Sequence, residues 1–80
     1  MSEKNIKDIV MTSLVVFLGV TTEDINLEDT LRNDLHMSSS DISDYIESIG
    51  NKGLNIKDLK MENVDTVGEL IDELALETDL

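Results

Sequence analysis

Apolar residues recur near the start of the chain at Ile6, Ile9, Val10, Leu14, Phe17 and Leu18. That spacing returns side chains to one face of a helix and does not alternate as a strand would. It predicts a helix of about 15 residues, with Ser2 as its N-cap and Gly19 as its stop. The stretch 20–37 is polar, with Ile25, Leu27, Leu31 and Leu35 at irregular intervals. It reads as a long loop whose apolar side chains pin it to the core, and loops of that length inside a compact domain are uncommon and often functional. Ile42, Tyr45, Ile46 and Ile49 then follow the i, i+3, i+4, i+7 template and predict a second helix over 39–49, ended by Gly50 and Gly53. Ser38 is placed to cap it. Asp41 stands three residues on in a capping-box position, where its side chain is shorter than the usual Glu, so only a weak closure is expected. Residues 54–61 predict a short helical turn with Ile56, Leu59 and Met61 facing inward. Thr66-Val67-Gly68-Glu69 fits a capping box and opens a last helix whose apolar face is Val67, Leu70, Ile71 and Leu74. Gly68 weakens its first turn slightly. No segment reads as a strand. The expected fold is an all-α bundle of three main helices and one short helix, a single domain over residues 1–80.

Composition narrows what such a bundle can do. Eighteen acidic residues against six basic ones leave a formal net charge of -12. That argues strongly against a nucleic-acid binder, whose affinity comes from neutralising phosphates with Lys and Arg, and disfavours anionic membrane surfaces. The natural counterpart is a protein carrying a basic patch. Without cysteine there is no disulfide, thiolate nucleophile or thiolate-bound metal, and with a single histidine no imidazole-rich zinc site. No apolar run approaches the roughly 20 residues that span a bilayer, and the first residues lack the features of a signal peptide. A cytoplasmic monomer is expected. Met11, Met37 and Met61 suit a thin, adaptable core.

One segment carries candidate chemistry: Asp34-Leu35-His36-Met37-Ser38-Ser39-Ser40-Asp41. It puts a run of hydroxyls where the acidic second helix begins. The first N–H groups of a helix lack intrahelical partners, and its dipole leaves partial positive charge there. A phosphate-linked group on a serine of that turn therefore sits in a favourable field. Asp41, Asp44 and Glu47 recur at i, i+3, i+6 and, with Asp34, surround the turn with negative charge that a basic partner would dock on. The same serines also read as an ordinary helix cap. His36 beside serine and aspartate does not make a hydrolase, since no strand-turn-helix elbow or oxyanion hole accompanies it.

The chain resembles the acyl carrier proteins. Leu18-Gly19-Val20 after the first helix, then the long loop, then Asp34-Leu35-x-x-x-Ser39 before an acidic helix resemble that family, whose motif reads Asp-Leu-Gly-x-Asp-Ser-Leu. Tyr45, Ile46 and Ile49 stand at its apolar positions on the second helix, and Val64-Asp65-Thr66-Val67 resembles its entry to the last one. The resemblance implies a carrier, not an enzyme, with 4'-phosphopantetheine donated by coenzyme A and attached to Ser39. It implies acyl or related groups held as thioesters for fatty acid, lipid or secondary-metabolite biosynthesis. The implied partners are a phosphopantetheinyl transferase and acyl-loading and acyl-transferring enzymes that dock on Asp34, Asp41, Asp44 and Glu47. Ser38 replaces the motif's Asp, Ser40 its second Leu, and His36 its Gly, which points to a specialised member. An apolar cleft lined by Phe17, Ile46, Ile49 and Leu74 is expected to receive the acyl chain. The alternative is a carrier-like helical module that is never modified and binds a basic partner through its second helix.

Overall fold

A computed structural model of the chain describes residues 3–57 and 59–78. Helix α1 spans Glu3–Leu18, α2 Ser39–Asn51 and α3 Val67–Thr78. No strand occurs among the described residues; an isolated antiparallel bridge joins Thr30 to Thr66. The all-α expectation is met. The proposed cap Ser2 lies outside the described residues.

Each helix forms where its apolar period places it, and each buries the face that period defines. Ile6, Val10 and Leu14 of α1, Ile42, Tyr45 and Ile49 of α2, and Val67, Leu70, Ile71 and Leu74 of α3 make up most of one core. Helix α1 packs against both α2 and α3, so its apolar stripe is covered from two sides. Ile9, Leu18 and Ile46 are half-buried at the margins, and Phe17 stays exposed near the end of α1. The backbone turns left-handed at Gly19 (φ 71°) just beyond α1 and at Gly53 (φ 102°) beyond α2, a conformation that glycine adopts without steric cost. Gly50 remains helical, and α2 ends at Asn51, two residues past the expected end.

The segment 20–37 is more structured than a plain loop. It opens with a 3-10 turn at Thr22–Asp24, and carboxylates three or four residues downstream hold successive backbone N–H groups. Asp24 accepts from Thr21 N at 3.1 Å, Asp29 from Asn26 N at 2.9 Å, and Asp34 from Thr30 N at 2.8 Å. These local bonds supply what a loop otherwise leaves to water. The segment is also bonded to the start of α3. Leu31 N donates to Asp65 O at 2.9 Å, Val67 N to Asp29 O at 3.0 Å and Gly68 N to Leu27 O at 2.9 Å. Gly68 is the residue that permits this approach, since a Cβ there would lie 3.2 Å from Leu27 O. Ile25, Leu31 and Met37 carry the loop into the core.

Of the short helix expected at 54–61, the described residues show one turn bond, Leu59 N to Ile56 O at 3.2 Å, and a 3-10 turn follows at Met61–Asn63. Ile56, Leu59 and Met61 are only half-buried, and Leu54 is the residue this segment buries deeply. Capping at α3 follows the sequence: Glu69 N donates to Thr66 Oγ1 at 3.1 Å, while a Glu69 carboxylate oxygen accepts from Thr66 N at 3.0 Å and Asp65 N at 2.8 Å. Those backbone donors hold the exposed Glu69 carboxyl below its ordinary range.

Candidate functional site

The serine turn is built by two local devices. The first is the N-cap of α2. Ser38 is extended (φ -77°, ψ 172°) and its Oγ accepts from Asp41 N at 3.1 Å. Asp41 returns the interaction, accepting from Ser38 N at 3.0 Å. The shorter carboxylate therefore closes the box fully, contrary to the weak closure expected from its length. The second device is His36, whose φ of 58° is the sole positive value at a non-glycine among the described residues. A left-handed residue here turns the chain sharply into the cap while Met37 is carried into the core. This conformation strains a residue with a Cβ by about 1–2 kcal/mol. Replacing His36 by Gly removes that strain and adds chain entropy to the unfolded state of about 0.4–1 kcal/mol. We expect His36→Gly to raise the thermal midpoint by roughly 2–6 °C, measured by circular dichroism.

The three hydroxyls are not equivalent. Ser38 is committed to the cap. Ser39, the first helical residue, is exposed, and its Oγ accepts a hydrogen bond from Arg32 Nη1 at 2.9 Å. Ser40 is exposed one position on. The arginine that meets Ser39 was not singled out from the sequence, although it is the chain's only one and stands seven residues upstream. Arg32 and Ser39 share the rim of an open cleft of about 400 Å³ with Ser43 and Glu47, over Ile42, Ile46, Ile56 and Met61. Of the four residues expected to line an apolar cleft, Ile46 does so. Ile49 and Leu74 are sealed in the core, and Phe17 lies edge-on against Tyr45 with ring centroids 5.7 Å apart.

The acidic residues separate by role. Asp34 accepts from both Thr30 N and Thr30 Oγ1, and Asp41 belongs to the cap, so both hold the turn in shape. Asp44 and Glu47 are exposed on α2. No cluster of three or more His, Asp or Glu side chains suited to a metal ion occurs among the described residues. No helix among them is long and apolar enough to cross a membrane.

Tyr45 is wholly buried where α2 meets α1. Its hydroxyl donates to Val10 O at 3.1 Å and shares a 2.8 Å hydrogen bond with Ser13 Oγ. Ser13 is a buried polar residue on α1 that the apolar period did not flag.

No protein-family model matches the chain. Against a curated acyl carrier protein of Saccharopolyspora erythraea it is 31% identical over 78 residues, which is 96% of this chain and 81% of that relative. The chain belongs to the acyl carrier protein family. Acyl carrier proteins hold substrates without transforming them, so the chain is a carrier rather than an enzyme. Members of the family generally carry a phosphopantetheine arm and interact with enzymes of acyl transfer. The helical bundle is in keeping with that membership.

Proposed function

We propose that this acyl carrier protein bears 4'-phosphopantetheine on Ser39 and holds acyl or related groups on it as thioesters. The observation that supports this most is the state of the Ser39 hydroxyl. It is exposed at the first position of α2, and the guanidinium of Arg32 lies 2.9 Å from its Oγ. Ser38 is tied into the cap on one side, and Ser40 has no such cationic neighbour among the hydrogen bonds of the described residues.

The residues present suit a phosphodiester. Arg32 supplies planar paired donors, the geometry that matches phosphate oxygens. The N–H groups of the first turn and the helix dipole add a positive field. Attachment forms a bond from Ser39 Oγ to the phosphorus that carries pantetheine and breaks the pyrophosphate linkage of coenzyme A. Adenosine 3',5'-bisphosphate leaves, and the serine proton passes to a base on the transferase. When bound, the arm supplies a terminal thiol for thioester formation. Asp44 and Glu47 present negative charge to the basic face of the transferase and of acyl-transferring enzymes. We read the whole chain as one carrier unit working in the cytoplasm as a monomer, with fatty acid, lipid or secondary-metabolite synthesis as the pathways it would serve.

The test is labelling with coenzyme A bearing a fluorophore on its thiol, in the presence of a broad-specificity phosphopantetheinyl transferase. The expected result is one fluorophore per chain and one adenosine 3',5'-bisphosphate released. A chain left dark, while a known carrier in the same tube is labelled, would contradict the assignment.

A further inference from the structure

The chain has eighteen acidic and six basic residues. Its single arginine directs a guanidinium N–H at a serine hydroxyl. Arg32 and Ser39 lie on the same cleft rim, with the α2 side chains Ile42, Ser43 and Ile46 beneath them. Arg32 extends from an anchored stretch of loop: its neighbour Leu31 is 2% exposed and bonded through its N–H to Asp65 O, and Met37 N donates to Leu31 O at 2.9 Å. The guanidinium is therefore presented from a fixed backbone, not from a free tail.

Resting on the reading that Ser39 carries the arm, we infer that Arg32 is a positioning residue that grips the phosphodiester and so directs the arm along the cleft. An ester at Ser39 Oγ brings two unesterified phosphate oxygens beside the donor that already reaches that atom. The guanidinium fork matches two such oxygens at once, and the charge-assisted bonds exceed the neutral one they replace. Arg32 also offsets the negative charge that the phosphate adds to a chain of net charge -12. Held this way, the root of the arm leaves Ser39 beside the cleft over Ile42, Ile46, Ile56 and Met61.

The experiment compares apo and arm-bearing forms of the wild type, Arg32→Gln and Arg32→Lys, each loaded to completion as judged by intact mass. Thermal midpoints and the phosphorus NMR line width of the loaded forms are recorded. The wild type should gain about 3–6 °C in its loaded-minus-apo shift relative to Arg32→Gln, and its phosphorus line should be broader. Arg32→Lys, which keeps the charge without the fork, should recover part of the shift. Equal loaded-minus-apo shifts and equal line widths in wild type and Arg32→Gln would overturn the role of Arg32 while leaving Ser39 as the attachment point. A wild type that takes no mass would overturn both.

Discussion

Replacing Tyr45 by alanine should leave much of the protein unfolded at 37 °C. Tyr45 is the largest of the fully buried side chains and sits where α2 meets α1. Truncating a buried aromatic destabilises by about 3–5 kcal/mol, because packing is lost and a cavity remains. A chain of this size holds roughly 4–12 kcal/mol in all, so the variant forfeits a large share of it. Tyr45→Phe separates the ring from the hydroxyl. It removes the bonds to Ser13 and Val10 and should cost about 1 kcal/mol. Alkaline pH probes the same atom. Burial pushes the Tyr45 hydroxyl from 10.0 up to about 12, with the Ser13 hydrogen bond acting in the opposite direction. A folded-state pKa raised in this way gives stability that is whole below the unfolded value and is lost as pH rises from 10 through 12. Two units correspond to about 3 kcal/mol at most. Urea midpoints at rising pH should fall more steeply in the wild type than in Tyr45→Phe. Parallel slopes, or an alanine variant as stable as the wild type, would refute this account of the core.

The second large effect concerns docking. Asp44→Lys with Glu47→Lys should slow arm attachment by a transferase with a basic face about 10–100-fold at low ionic strength, through slower encounter. The deficit should shrink in high salt, where charges beyond about 3 Å are screened. These two positions are the informative ones because their side chains are exposed and lie outside the cap. Asp34 and Asp41 are poorer probes: substituting either also loosens the turn, through Thr30 or Ser38. Loading kinetics across a salt series, with helix content checked by circular dichroism, would decide it. An unchanged rate in the double variant would place docking elsewhere.

The helices were legible in the sequence because burial on one face repeats at the helical period. Val67, Leu70, Ile71 and Leu74 are all buried as that period requires, and Thr66 with Glu69 forms the box that their spacing announces. Periodicity is silent where the chain is irregular. The 3-10 turn at Thr22–Asp24 rests on side-chain-to-backbone bonds that no apolar pattern marks. Leu54, rather than its neighbours, entered the core because the turn at Gly53 re-aims the chain after α2. At the serine turn, Ser38 and Asp41 were readable from capping preferences. Arg32 was not, because it reaches Ser39 from a loop folded back by contacts to α3. Ser13 was hidden for a similar reason: its partner Tyr45 is 32 residues away.

The measurement that bears most directly on the central claim is the intact mass of the wild type and Ser39→Ala after incubation with coenzyme A and a broad-specificity phosphopantetheinyl transferase. The account predicts a gain of one phosphopantetheinyl group in the wild type and none in Ser39→Ala. A gain in both would move the attachment to another hydroxyl. No gain in either, with a known carrier modified alongside, would contradict the carrier assignment and leave a helical module that binds its partner unmodified.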